Sequence, residues 1–308
     1  MDQFAAMRAF VGVVEAGTFT RAADLLRVPK PTLTKQIQQL EAHLRTRLLN
    51  RTTRRVTVTP DGAAYYERAV TLLADLDELD GSMTQQQGTP QGRLRVDISP
   101  SLALLVLIPS LPGFHARHPD IQIDLGVTDR PVDLLSENVD CVIRGGEITD
   151  PSLVARRIGE LGMITCASPA YLARYGTPTH PSQLESDFPV VRYFSARTGR
   201  FFPLEFGRDG QMMEIDGRYA LSVNEGNSYL AAGVAGLGII QPPSFLAHAA
   251  LGRGELVPVL TAWGTEPFPL HVVYPPNRHL SARLRVFVDW VAELFAAHDL
   301  IQRRSTLR

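Results

Sequence analysis

The sequence predicts three parts: an all-α head carrying a short β-hairpin, a long connecting helix, and an α/β body. Three observations lead there. Residues 1–59 place apolar positions at helical spacing, punctuated by Gly17 and Pro29, and close on threonines alternating with valines. Residues 60–87 keep an apolar repeat of four and three with no proline after the first position. From residue 93 onward, short β-type runs alternate with helical ones, the pattern of an α/β unit with a mainly parallel sheet.

The formal net charge of -1 hides an asymmetry. Residues 1–59 hold 10 Lys/Arg against 4 Asp/Glu, a net of +6, whereas the remainder holds 21 against 28, a net of -7. A basic head on an acidic body points to a polyanion partner for the head alone. The chain of 308 residues, 44% hydrophobic and 20% charged, is long enough for two or three cores. No run approaches eighteen apolar residues, and the first residues carry acid and a helical period instead of an export signal, so no membrane partner and a cytoplasmic location are expected. Cys141 and Cys166 each sit in an apolar run and read as two buried thiols, too few for a disulfide framework or a zinc site.

In the head, Phe4, Met7, Phe10, Val11 and Val14 mark a first helix that Gly17 can end in a left-handed conformation. Thr18 can cap a second helix through "RAADLL", which "RVPKP" stops because proline lacks the donor and clashes. A third helix restarts at Pro31, suited to a first helical position. Its apolar stripe is Leu33, Ile37, Leu40 and Leu44, and its other side shows Thr32, Lys35, Gln38 and Gln39, with Lys30 and Thr34 near the leading end. A helix with polar side chains at its start and an apolar back can enter a major groove; a plain helical hairpin with a solvated face has the same pattern. The segment "LLNRTTRRVTVTPDG" reads as two short strands around an arginine-rich tip, Arg51, Arg54 and Arg55. A basic wing beside a basic helix favours the DNA reading, because such a tip reaches phosphates or the minor groove.

The connecting helix begins behind Thr59 and Pro60. Tyr65, Ala69, Leu72, Leu76, Leu79 and Met83 form a heptad seam for pairing between two chains, the alternative being packing on its own chain. The polar, Gly/Pro-punctuated stretch over residues 88–92 reads as a hinge.

The chain resembles the LysR-type transcriptional regulators. The matching segments are "TFTRAADLLRVPKPTLTKQIQQLEAHLRTRLLNRTTRRVTVTPDG", then "RVDIS", "HPDIQIDL", "VDLLSENVDCVIRGGE", "SLVARRIGELGMITCASPAYLARYG", "AGVAGLGII" and "GELVPVL", in order across nearly the whole chain. Pro29 and Lys30 stand where the family usually has a serine or threonine cap and a glutamine; a lysine there favours guanine N7 and O6 or a phosphate over adenine. The resemblance implies a winged helix-turn-helix over residues 1–59, a dimerisation helix over 60–87, a hinge at 88–92, and an effector-binding domain over 93–308. That domain is expected to be two-lobed and periplasmic-binding-protein-like (type 2), lobe I taking 93–162 and 269–308 and lobe II 163–268.

The expected DNA contacts are Thr18, Arg21, Lys30, Pro31, Thr32, Thr34, Lys35 and Gln38 from the helices and Arg51, Arg54 and Arg55 from the wing. The partner implied is double-stranded DNA at an inverted-repeat promoter site, read by paired heads in a homo-oligomer, a dimer and a tetramer of paired dimers, with RNA polymerase as a further partner. A small-molecule effector, an organic acid or an aromatic compound, is expected between the lobes, where strand ends meet helix starts. Ser99, Pro100 and Ser101 close one strand ahead of a helix, and Thr128 follows another. Arg144 with Gly145 and Gly146 closes "DCVIRGG"; glycine there permits close backbone approach, and the arginine faces either ligand or a nearby acid. Phe201 and Phe202 form an aromatic wall, and Asn224 with Gly226 opens a helix.

An enzyme is disfavoured. "GVAGLGII" imitates a dinucleotide loop, but its glycines close a helix ahead of a strand, the reverse of what that loop needs. His115 and His118 share a helix end without a third ligand nearby in sequence, and no GxSxG, HExxH or Walker pattern occurs. No catalytic residue, metal or cofactor is expected. A solute-binding protein with an added helical domain is the other reading, opposed by the basic head.

Overall fold

The computed structural model describes residues 1–51, 56–83, 90–134, 136–148, 150–276 and 280–302. The chain divides into two compact units, Met1–Arg93 and Leu94–Arg308.

The first unit starts with helix α1, Gln3–Ala16, capped by the Asp2 carboxylate and ended by Gly17 at φ 71°. Helix α2, Phe19–Leu26, has Thr18 as its cap, whose hydroxyl accepts from the Arg21 N–H. It does not run to Pro29. Arg27 adopts a left-handed conformation at φ 53°, and the Val28 N–H closes on the Ala23 carbonyl, so a backbone turn ends the helix before proline is reached. Helix α3, Lys30–Leu44, begins one residue ahead of Pro31, with Pro29 at the cap position and no side-chain cap bond. Ala6, Phe10 and Val13 of α1, Ala22 and Ala23 of α2, and Leu33, Ile37 and Leu40 of α3 share one core with Leu48 and Leu49. Strands β1, Leu49–Arg51, and β2, Val56–Val58, pair antiparallel. Glu41 ties α3 to this hairpin by accepting from the Leu48 and Leu49 N–H groups at 2.9 and 3.1 Å.

Helix α4, Pro60–Met83, starts as its sequence implies: the Thr59 hydroxyl accepts from the Gly62 N–H at 2.9 Å. Its 24 residues span about 36 Å. The heptad seam is corrected at its start. Tyr65 sets its ring edge-on to Phe10 at 5.7 Å, and Ala69 packs with Leu73 against Met7, so these positions are covered by α1 of the same chain. Leu72 is 52% exposed, whereas its neighbour Leu73 is 7% exposed. The side chains of Leu79 and Met83, and residues 84–89, lie outside the described residues.

The second unit has two lobes, each with its own core. Strand β3, Gly92–Ile98, leads into helix α5, Pro100–Leu102, a π turn over Ala103–Leu107, and helix α6, Ile108–Arg117. Pro109 and Pro112 supply no N–H to the helical ladder, and the π turn precedes them. Strands β4, Ile121–Val127, β5, Cys141–Gly145, and β6, Val154–Leu161, follow. The chain then crosses to the second lobe. There lie strand β7, Cys166–Ala167, helix α7, Pro169–Tyr175, a 3₁₀ turn at Pro181–Glu185, and strands β8, Val190–Phe194, and β9, Phe201–Phe202. Strands β10, Leu204–Arg208, β11, Gln211–Ile215, and β12, Tyr219–Val223, precede helices α8, Gly226–Val234, and α9, Ser244–Gly252. After strand β13, Val257–Pro258, the chain returns through strand β14, Phe268–Tyr274, helix α10, Ala282–Ala297, and helix α11, Asp299–Gln302.

The first lobe's sheet has the order β4-β3-β5-β14-β6. It is mixed rather than mainly parallel: β3 and β5 run parallel, but the returning β14 is antiparallel to both β5 and β6. In the second lobe, β8 pairs parallel with β12 and antiparallel with β9, and β7 pairs antiparallel with β13. "MITCAS" forms a regular strand only at Cys166–Ala167, with Met163 held by an isolated bridge to Pro243. Helix α10 seals the first lobe, where Phe287, Trp290, Val291 and Phe295 pack around Phe114. Both cysteines are buried, and burial pushes the Cys166 thiol up to about 12.

Candidate nucleic-acid face and interlobe site

On the head, α3 separates its two faces cleanly. Leu33, Ile37 and Leu40 are buried, while Pro31, Thr32, Lys35, Gln38 and Gln39 are exposed on the opposite side. Lys30 donates to the Thr20 hydroxyl at 3.2 Å, which steers this side chain across the α2–α3 junction. The Thr34 hydroxyl donates to the Lys30 carbonyl at 2.9 Å and is turned back onto its own helix. Thr18 and Arg21 are exposed at the start of α2. Arg54 and Arg55, and the side chain of Arg51, lie outside the described residues.

In the body, several strand ends and two helix starts converge. Ser99 precedes α5, and Pro100 occupies its first turn. Ser101 is buried, and its hydroxyl oxygen stands 3.5 Å from where a Cβ on Gly226 would lie, so the starts of α5 and α8 face each other across the lobes. The Thr128 N–H donates to the Ile98 carbonyl at 3.1 Å, which sets the loop after β4 beside the end of β3. Arg144 pairs with Asp97 and also donates to the carbonyls of Thr128, at 2.6 Å, and Arg130, at 3.0 Å. Burial lowers the Arg144 pKa, and Asp97 and Asp129 oppose that. Of the two alternatives for Arg144, the nearby acid is the partner observed; the guanidinium braces the 128–130 loop.

Phe201, Gly145 and Asn224, expected at this site, have other surroundings. Phe201 and Phe202 occupy consecutive strand positions and so face opposite ways. Phe202 lies near Tyr193, centroids 6.1 Å apart, and is 56% exposed. Phe201 instead packs on Tyr219 and under the Arg192 guanidinium, 4.1 Å from its ring centre. Gly145 makes room for protein rather than ligand, since a Cβ there would lie 2.4 Å from the Phe268 ring. Asn224 is exposed and does not open α8; Glu225 is the cap, accepting from the Asn227 and Ser228 N–H groups at 2.8 Å each. Burial raises the Glu225 pKa, but those N–H groups together with the Ser228 hydroxyl and the Asn227 side-chain amide, which also donate to it, hold the carboxyl below its ordinary value.

Residues missed in the sequence complete the junction. Asp129 Oδ2 accepts from the Tyr193 hydroxyl at 3.2 Å and from the Gly226 N–H at 3.0 Å. The Tyr193 ring stands edge-on to Tyr229, whose hydroxyl accepts from the Gln241 N–H at 3.0 Å. Gln241 is buried and bonds Thr165 and both backbone groups of Glu205. A hydrophilic residue following a β-rich apolar run was the available signal for Asp129; nothing local marks its distant partners.

Among the described residues, no group of three or more His, Cys, Asp and Glu could hold a metal ion, and no helix is long and apolar enough to cross a membrane. His115 and His118 rest against the Phe114 ring.

Residues 4–63 match the family model described as bacterial regulatory helix-turn-helix protein, lysR family, and residues 87–296 match that of the LysR substrate binding domain. The chain belongs to the LysR family. This LysR-type transcriptional regulator is 43% identical over 292 residues to the HTH-type transcriptional regulator YhjC of Escherichia coli (strain K12), covering 95% of this chain and 97% of that one. It is 42% identical over 302 residues to an HTH-type transcriptional repressor of Pseudomonas aeruginosa (strain UCBPP-PA14), covering 98% and 95%. Among solved structures, that of CrgA, a LysR-type regulator from Neisseria meningitidis, is similar at 30% identity and a TM-score of 0.58, over 94% of this chain and 97% of that chain. The LysR-type fold thus spans both units: a DNA-binding helix-turn-helix ahead of a periplasmic-binding-protein-like domain.

Proposed function

We propose that this LysR-type regulator reads an inverted-repeat promoter site with paired heads, α3 lying in the major groove. The observation that carries the reading is the exposed face of α3, where Thr32, Lys35 and Gln38 stand opposite the buried Leu33, Ile37 and Leu40. Lys30 and Arg21 flank that face, and Arg51, Arg54 and Arg55 of the wing supply phosphate contacts. Two chains pair through the stripe of α4 that begins at the exposed Leu72 and the half-buried Leu76 and continues in sequence to Leu79 and Met83. Pairs of dimers form a tetramer, and RNA polymerase is the partner through which the promoter is controlled. The protein works in the cytoplasm, carries no cofactor and catalyses nothing.

The body is the sensor. A small organic acid or aromatic compound enters between the lobes beside Ser99, Ser101, Thr128 and Phe202, and shifts the oligomer toward one arrangement by binding it more tightly. The 1–59, 60–87, 88–92 and 93–308 segments serve as reader, pairing helix, hinge and sensor.

The test is a gel-shift titration of the full chain on duplex DNA from upstream of its own gene, across a salt series. Affinity is expected to fall steeply as salt rises, and Lys35→Ala to cost about 1–3 kcal/mol if Lys35 reads a base. Binding without salt dependence or preference for that duplex overturns the reading. Ser99→Ala and Thr128→Val, expected to blunt the effector response while leaving DNA binding intact, test the sensor half.

A further inference from the structure

The lobes of the body are joined covalently where the chain crosses after Leu161 and before Phe268, Phe245 and Leu246 of α9 pack into the first lobe's core, and one carboxylate supplies a polar contact between them. Asp129 belongs to the first lobe, just after β4. Both groups that donate to its Oδ2, the Tyr193 hydroxyl on β8 and the Gly226 N–H at the start of α8, belong to the second.

The arrangement around this contact is specific. The Gly226 N–H is the first of α8 and has no acceptor within the helix. The next two, at Asn227 and Ser228, are taken by Glu225, so Asp129 fills the position that this cap leaves open. On the first-lobe side, Arg144 grips the carbonyls of Thr128 and Arg130, the residues before and after Asp129. A braced carboxylate thus reaches across the junction to a hydroxyl and a helix start. An intruding ligand that seeks the start of α8 meets Asp129 already there.

We propose that Asp129 is a latch between the lobes: it holds the effector-free body together through Tyr193 and Gly226, and an effector acting between the lobes must displace it. The second half of this statement rests on the sensor reading above; the first half does not.

The latch is tested without effector or DNA, on the full chain. Amide hydrogen exchange at Gly226 is expected to speed up roughly ten- to hundredfold in Asp129→Ala, while Asn227 and Ser228, protected by Glu225, stay unchanged. Spin labels at Ala116→Cys on α6 and Ala173→Cys on α7, both exposed, report the distance between lobes, because the native Cys141 and Cys166 are buried and stay unlabelled. Dilution with unlabelled protein restricts the signal to single chains. The distance distribution is expected to broaden in Asp129→Ala, to stay near wild type in Asp129→Asn, which keeps an acceptor oxygen, and to broaden less in Tyr193→Phe, which removes one hydroxyl. Unchanged Gly226 exchange and unchanged distances in Asp129→Ala overturn the latch. Should that variant fail to fold, Tyr193→Phe decides alone, because it leaves the Gly226 bond and removes the other: wild-type distances in it overturn the latch. An effector titration that fails while these results hold removes the sensor reading and leaves the latch.

Discussion

Arg144 and Asp97 form an ion pair at the adjacent ends of β5 and β3, with side chains only 17% and 8% exposed. The same guanidinium reaches the Thr128 and Arg130 carbonyls, so one side chain both neutralises a buried acid and shapes the loop that follows β4. Burial raises the Asp97 pKa, and the charge of Arg144 is the largest influence holding it down.

Removing the cation should therefore cost more than the pair itself contributes. Arg144→Ala leaves a carboxylate in a site that disfavours charge, and a loss of about 3 kcal/mol is expected in urea unfolding of the body. Arg144→Ala combined with Asp97→Asn should recover part of that loss. A single variant within about 0.5 kcal/mol of wild type would show that the brace carries no weight.

Asp129 sets a pH dependence. Burial raises its pKa, and the Glu225 charge adds to that against the Gly226 N–H and the Tyr193 hydroxyl. The folded state therefore holds this proton more tightly than the unfolded chain. Stability from that preference is complete below the ordinary carboxylate range and is lost as pH rises through the elevated folded value. Asp129→Asn has no such proton. Relative to wild type, its melting temperature is expected to be higher at pH 8 than at pH 4. A difference that stays constant between those limits contradicts the assignment.

Leu72 and Leu73 are neighbours with opposite duties. Leu73→Ala empties a site packed by Met7 and Ala69, so a loss of about 2–4 kcal/mol in head stability is expected. Leu72→Ala should change head stability by less than about 0.5 kcal/mol while weakening self-association in sedimentation equilibrium. The reverse pattern would place the pairing stripe elsewhere on α4.

Gly62→Ala tests the seating of α4. A Cβ there would lie 2.0 Å from the Leu48 carbonyl oxygen, which is backbone and bonded to the Thr59 N–H. The first turn of α4 must move, and the variant is expected to lose DNA binding in gel shifts while the body keeps its own melting transition. Wild-type DNA affinity would show that the turn relaxes at no cost to the head.

The head was the more legible part because its signals are local. Gly17, Thr18 and Thr59 act within one helical turn of where they stand, and the structure uses each as its sequence neighbours imply. The long helix was legible in its start but not in allegiance: a heptad names a stripe without naming what covers it, and α1 claims Tyr65 and Ala69. In the body, alternation along a strand already separates Phe201 from Phe202, whereas the ring of Phe268 behind Gly145 comes from a strand more than a hundred residues away. The bonds of Asp129 to Tyr193 and Gly226 are equally remote in sequence. Such contacts exist only once the sheets are assembled, and no window of sequence contains them.

The packing of Met7, Ala69 and Leu73 has a mechanical corollary. It clamps the near half of α4 to α1, which shares its core with α3. The apolar contacts from α4 to α3 are therefore continuous, running through α1. On the proposed reading, a rotation of the α4 shaft therefore becomes a rotation of the blade, and the pitch of α3 against a duplex follows the torsion of the stem.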